Sequence, residues 1–321
     1  MWIWVSFIAI IIVFLALDLG VFHKNEHVIR SKEAAMWTAI WVTVALGFSG
    51  VIYWLFDTGL TDNPNGLSPG TAMLKYITGY LIELSLSIDN VFVIAVIFSA
   101  FSIPPIYQHR VLFWGILGAI VFRGLMILFG VALINQFDWI IYVFGVFLLY
   151  TAYRMYRSDE HEFNPQNSWV FRQLKKIFPI TTHIEGHAFF VRQMGINSAT
   201  PLFVALMVIE ITDILFALDS IPAILAITSD PFIVFSSNIL AILGLRSMYF
   251  LVSRMLQKFR FINYSLVVIL AFVGLEMLFS HTVPVKEWIS LLVIFVSLTA
   301  GIMASLMIPQ KSGGEPQDPP V

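Results

Sequence analysis

The chain is 321 residues long, 59% hydrophobic and only 12% charged, with a formal net charge of −2 and no cysteine. A soluble domain carries about 25% charged residues, so this composition excludes a water-soluble globular protein and leaves a polytopic membrane protein. Without cysteine there are no disulfides, iron–sulfur clusters or thiolate metal sites, and any metal ligands are oxygens or imidazoles.

Residues 2–22 form the first apolar run. It lacks a basic leading segment and a small-residue cleavage site, so it reads as a retained helix. Asp18 sits near its end. Further runs follow at 36–56, 72–101, 111–133, 137–153, 201–228, 232–253, 264–280 and 287–308. A bilayer is spanned by about 20 apolar residues, so the expectation is an all-α bundle of about nine transmembrane helices, one domain over residues 1–309. With alternate loops taken as cytoplasmic, 14 of the 18 Lys and Arg residues fall on one side and only Lys75 and Lys286 on the other. Arg123 and Arg246 lie inside spans. The positive-inside rule then puts the N-terminus outside and the C-terminus in the cytoplasm. The loop 57–70 is turn-rich, acidic and outside. Residues 154–200 form a cytoplasmic loop too short to be an independent domain. Within it, about 168–178 is expected to be an amphipathic helix, with Trp169, Val170, Leu174 and Ile177 opposed to Arg172, Lys175 and Lys176, lying on the anionic inner leaflet. The tail 310–321 reads as disordered.

Two of the runs carry related acids. Glu83-Leu-Ser-Leu-Ser-Ile-Asp89-Asn90 aligns with Asp213-Ile-Leu-Phe-Ala-Leu-Asp219-Ser220, and Glu210 precedes the second set. Each set is followed by a span holding one arginine, Arg123 or Arg246. Spans three to five (71–153) and six to eight (201–280) therefore read as an inverted repeat, the arrangement of secondary transporters, whose sites lie at the repeat interface near the midplane.

A charge at bilayer depth costs on the order of 3 kcal/mol by insertion scales, so repeated acids at that depth call for a function. Several carboxylates with the oxygens of Asn90 and Ser220 suit magnesium, manganese or calcium. The candidate metal set is Glu83, Asp89, Asn90, Glu210, Asp213, Asp219 and Ser220. Arg123 and Arg246 are too few to neutralise these acids, and as cations they read as charge-balancing or gating groups. Asp213 and Asp219 stand roughly 120° apart on an unbroken helix. Either the helix opens near Pro222, or the acids face different partners. Asp18 either extends the pathway or is solvated at the interface, and Glu276 reads as a rim group. His183 and His187 are four apart and read as polar loop residues before metal ligands. No intramembrane-protease Gly-x-Gly-Asp, no His-Glu-x-x-His and no Ser–His pair at common depth is present, so neither an enzyme nor a prosthetic group is expected.

At these residues the chain resembles the TerC family of integral membrane proteins, and within it the Alx-like branch. The resemblance rests on Gly-Tyr-Leu-Ile-Glu83, Ile-Asp89-Asn90-Val-Phe, Gly-Ala-Ile-Val-Phe-Arg123, Gln-Phe-Asp138-Trp, Glu210-Ile-Thr-Asp213, Leu-Asp219-Ser220-Ile-Pro and Ser-Asn-Ile-Leu-Ala-Ile-Leu-Gly-Leu-Arg246. It implies an inner-membrane protein linked to manganese efflux, with tellurium-resistance associations and pH responsiveness in parts of the family, and acids at Glu83, Asp89, Glu210, Asp213 and Asp219 that serve the metal. Two positions depart from the family pattern: Leu84 and Glu276 stand where lysine is common. The expected function is export of a divalent cation, manganese foremost, with protons as counter-ion. The alternative is a membrane assembly factor acting through residues 154–200.

Overall fold

Prolines and caps set where the central helices begin. Ser68 caps α3 (Pro69–Ala100), its hydroxyl accepting from the Thr71 N–H, with Pro69 in the first turn. α4 (Pro105–Gln136), α7 (Pro201–Ile227) and α8 (Pro231–Val252) also carry a first-turn proline, and the Asp230 carboxylate caps α8 through the N–H groups of Phe232 and Ile233. Proline fits there because its missing N–H is one the helix leaves unpaired. The remaining helices are α1 (Trp2–Phe22), α2 (Ser31–Asp57), α5 (Ile140–Arg157), α6 (Trp169–Ile177), α9 (Ile262–Phe279) and α10 (Glu287–Met307); β1 (Phe190–Gln193) and β2 (Ile196–Ala199) complete the list. The computed structural model describes residues 2–22, 31–137, 139–157, 169–181, 186, 188–193, 196–253, 261–279 and 285–307.

Among the described residues, each of the nine expected runs coincides with a helix. Six of these helices are long and apolar enough to cross a membrane: those within α2, α3, α4, α7, α8 and α10. The apolar parts of α1 and α9, Trp2–Ala16 and Asn263–Phe279, are shorter. The chain is an all-α polytopic membrane protein.

α8 is the most enclosed of the six long helices, although it is not the most apolar. α3 packs on α8 and α4 on α7, while α3 also meets α7 and α4 meets α8. α5 packs on α9 and on α7, and α9 touches α3. Exchanging α3, α4 and α5 for α7, α8 and α9 maps these pairs onto one another, while the contacts of α7 with α9 and of α4 with α5 have no counterpart of like extent. α2 covers the α3–α8 seam, and α1 docks through Trp4 and Phe7 on Phe232, at 5.4 and 5.5 Å between ring centroids.

The segment 154–200 holds more structure than its composition announces. β1 and β2 form an antiparallel hairpin pairing Phe190 with Ala199. It is tied to the start of α7: the Thr181 N–H donates to the Ala199 carbonyl at 2.9 Å, and the Thr200 hydroxyl to the Ala188 carbonyl at 2.8 Å. α6 packs against α7, burying Leu174, and Phe171 meets Phe101 at 5.5 Å. Leu174 of the expected apolar face is thus used within the protein, while the side chains of Trp169, Val170 and Ile177 lie outside the described residues. Arg172, Lys175 and Lys176 are exposed, as expected of the polar face. His183, His187 and the tail 310–321 lie outside the described residues, as do the side chains of Asp18 and Asp89.

α5 and α9 cross at two glycines. A Cβ on Gly145 would stand 3.1 Å from the Gly274 carbonyl oxygen, and one on Gly274 would stand 3.0 Å from that of Gly145. Backbone cannot yield as a side-chain tip does. Gly145→Val or Gly274→Val is expected to destabilise the fold by about 1–3 kcal/mol, seen as a lower melting temperature in detergent, whereas Gly70→Val, which meets nothing within 4 Å, leaves the melting temperature nearly unchanged.

Candidate functional site

Arg123 lies in the middle of α4, 1% exposed. A guanidinium in so dry a place must be met by acceptors on several sides. Glu83, on α3 and fully buried, takes Nη1 through Oε1. Asp213, on α7, takes the guanidinium through two bonds, Nη2 to Oδ1 at 2.7 Å and Nε to Oδ2 at 3.0 Å. This two-point geometry is the strong form of the Arg–carboxylate pair. Ser220 Oγ stands 3.5 Å from Nη1. The two acids that the repeat aligns are therefore brought together, and one guanidinium bridges them.

Two amides complete it. Asn238, on α8 and fully buried, donates Nδ2 to Glu83 Oε2 at 2.9 Å. Asn90 lies on the α3 face of Glu83, beside Asp213. With its oxygen toward Arg123 Nη2 at 3.1 Å and its nitrogen donating to the Leu86 carbonyl at 3.3 Å, both ends are satisfied. A small cavity opens next to this group, lined by Asn90, Thr212 and Asp213 among apolar side chains such as Ile94, Leu112 and Ile209.

Other expected site residues stand apart. Glu210 is buried one turn before Asp213, with Oε2 lacking a hydrogen-bond partner. Its carboxylate rests directly on Gly118 of α4, where any Cβ would overlap it. Asp219 turns toward α5 and accepts a hydrogen bond from the Thr151 hydroxyl at 3.0 Å. Glu276 accepts from Ser290 of α10 at 2.8 Å, while Lys75 donates to the Ile227 carbonyl at the end of α7 at 2.6 Å. Arg246 is buried on α8, about two turns beyond Asn238. Among the described residues, no three Asp, Glu or His side chains sit close enough together to hold a metal ion. The helix break considered near Pro222 is absent: α7 runs continuously from Pro201 to Ile227. The acids diverge because a straight helix separates Asp213 from Asp219 around its axis, and each has its own neighbour. Sequence reasoning missed Asn238, Thr151 and Gly118. Only Asn238 left a signal, as part of the polar triplet Ser236-Ser237-Asn238 inside an apolar run.

The residues that hold this centre fall within one family match. Residues 68–313 match the Integral membrane protein TerC family. The chain belongs to the TerC family. The match opens at Ser68, the cap of α3, and so takes in every helix from α3 to α10. An uncharacterized membrane protein of Myxococcus xanthus is 49% identical over 304 residues, covering 95% of this chain and 92% of that protein. One from Rickettsia bellii is 40% identical, over 95% and 97% of the two chains. The Escherichia coli K12 protein named "Putative membrane-bound redox modulator Alx" is 43% identical over 293 residues, 91% of this chain and 90% of its own. No solved structure matches.

Removing the shared guanidinium leaves two acids facing each other without compensation. Arg123→Gln is expected to destabilise the protein by about 3–5 kcal/mol. The combined change Arg123→Gln with Glu83→Gln is expected to recover part of that loss, so a double-mutant cycle on detergent melting curves returns a non-zero coupling. Additive losses would show that Glu83 and Arg123 act independently.

Proposed function

We propose that this TerC-family protein exports a divalent cation, manganese foremost, across a bacterial inner membrane in exchange for protons. The observation that carries the reading is the bridge itself: Glu83 and Asp213, repeat mates on α3 and α7, share one buried guanidinium. Acids at bilayer depth mark ion pathways. Repeat transporters hold their substrate between the halves, near the midplane, and move one half against the other.

Arg123 acts in this scheme as an internal cation. It pairs with both Glu83 and Asp213 while no metal is held, and a divalent ion can displace it only by offering them equal or better compensation. The oxygens available are carboxylate, amide and hydroxyl, from Glu83, Asp213, Asn90 and Ser220, with Asp89, Glu210 and Asp219 along the route. Such a set favours hard ions over soft ones. The excess of acids over arginines supplies groups that carry protons when the metal has left. Asp18 and Glu276 stand as possible stations toward the two membrane surfaces, with Arg246 as a second gating charge. In this reading α1 and α9, and α5 with them, cross as well as the six longer apolar helices, with the N-terminus outside and the C-terminus in the cytoplasm. The name Alx speaks of redox modulation for that relative; with no cysteine in this chain, it performs no thiol–disulfide exchange of its own.

Manganese flux into proteoliposomes under an imposed pH gradient tests the reading, comparing wild type with Glu83→Gln and with Asp89→Asn plus Asp219→Asn. The expected result is gradient-driven flux in wild type and its loss in folded variants. Flux that needs the acids yet ignores the gradient removes the proton coupling. Flux that persists unchanged in the folded variants overturns the metal role and leaves the assembly-factor alternative, in which removing the α6–hairpin segment has the larger effect.

A further inference from the structure

Glu83 is held on two sides by chemically different groups. On the α4 side the Arg123 guanidinium takes Oε1. On the α8 side Asn238 donates Nδ2 to Oε2 at 2.9 Å. An ionised carboxylate only accepts, so the amide nitrogen must be the atom that faces it. Asn238 Oδ1 is then left fully buried without a hydrogen-bond partner. An amide that merely steadied Glu83 would gain nothing from this oxygen, because an orphaned buried acceptor is unfavourable. A serine hydroxyl would give the same bond with less to satisfy.

The contact is built into the helix packing. Gly79 lies one turn before Glu83 on α3, and the Ser237 hydroxyl reaches to 3.1 Å of where a Cβ of residue 79 would stand. This close approach brings α8 against α3 where Asn238 meets Glu83. The repeat mate of α8 is α4, and α4 presents a guanidinium to the same carboxylate. A cation is repelled on that side. On the α8 side it meets a neutral amide.

Resting on the exporter reading, we propose that Asn238 is a ligand of the transported divalent cation, with Glu83 Oε2 as its neighbour. Turning the amide over about its terminal bond exchanges nitrogen for oxygen and presents two oxygens, one neutral and one charged, to the ion. Amide oxygen suits magnesium, manganese and calcium, and does not favour softer metals. A neutral ligand in place of a further carboxylate also keeps binding weak enough for release on the far side. Asn238 therefore sets affinity and selectivity, and α8 contributes to a site that the acid repeat alone places on α3 and α7.

Manganese binding to the purified full chain in detergent tests this, read from loss of the free-ion electron paramagnetic resonance signal, with calcium and magnesium as competitors. Asn238→Ala is expected to weaken manganese binding about tenfold or more and to change the manganese-to-calcium affinity ratio. Asn238→Asp keeps an oxygen and is expected to retain binding, whereas a group needed only as a donor to Glu83 would lose it. Unchanged affinity and ratio in Asn238→Ala overturns the proposal, as does loss of binding in a folded Asn238→Asp; should the Asp variant not fold, the Ala variant decides alone. Wild-type protein that binds no divalent cation overturns the exporter reading too, while wild-type binding with an indifferent Ala variant overturns the role of Asn238 only.

Discussion

A guanidinium and two carboxylates buried at bilayer depth cannot be left apart. Each charge alone is costly where water is scarce, so Glu83, Arg123 and Asp213 must stay within reach of one another in the state described here. That requirement fixes α3, α4 and α7 around a common point, and Asn238 adds α8. The same four helices begin with first-turn prolines. Their starts are rigid, and their middles are held by charge.

Such a centre does more than stabilise. Hydrophobic replacements often pack as well as buried ion pairs or better, so the ionic solution points to use. Glu83 belongs to the first half of the repeat and Asp213 to the second. In the proposed exporter, movement of one half against the other would stretch the bond set of Arg123, and compensation for the released acid would have to arrive from elsewhere. In the proposed exchange, an entering divalent ion would supply it from one side and protons from the other. Asp219, bonded to Thr151 of α5, and Glu210, pressed on Gly118 of α4, are each tied to a different helix. A change of packing between the halves moves these acids relative to the centre.

The helices were legible in the sequence because a bilayer demands long apolar runs. The repeat was legible because Glu83 and Asp213 recur in the same setting. Spacing alone also carried the divergence of Asp213 and Asp219, six residues apart on α7. Four things were not. The hairpin at Phe190–Ala199 is short and takes its stability from Thr181 and Thr200, contacts remote from its own pattern. Continuity of α7 through Pro222 depends on neighbouring helices that tolerate the lost hydrogen bond. Asn238 has no acid beside it in sequence, and its meaning appears only when α8 lies against Glu83. Gly118 was silent for the same reason, since a glycine does not say what rests on it.

The most direct test of the central claim is an experimental structure with manganese present, the ion located by its anomalous scattering. The account predicts manganese between α3, α7 and α8, with the Arg123 guanidinium drawn off at least one of Glu83 and Asp213. Manganese bound elsewhere, with both carboxylates still bridged by Arg123, would contradict it.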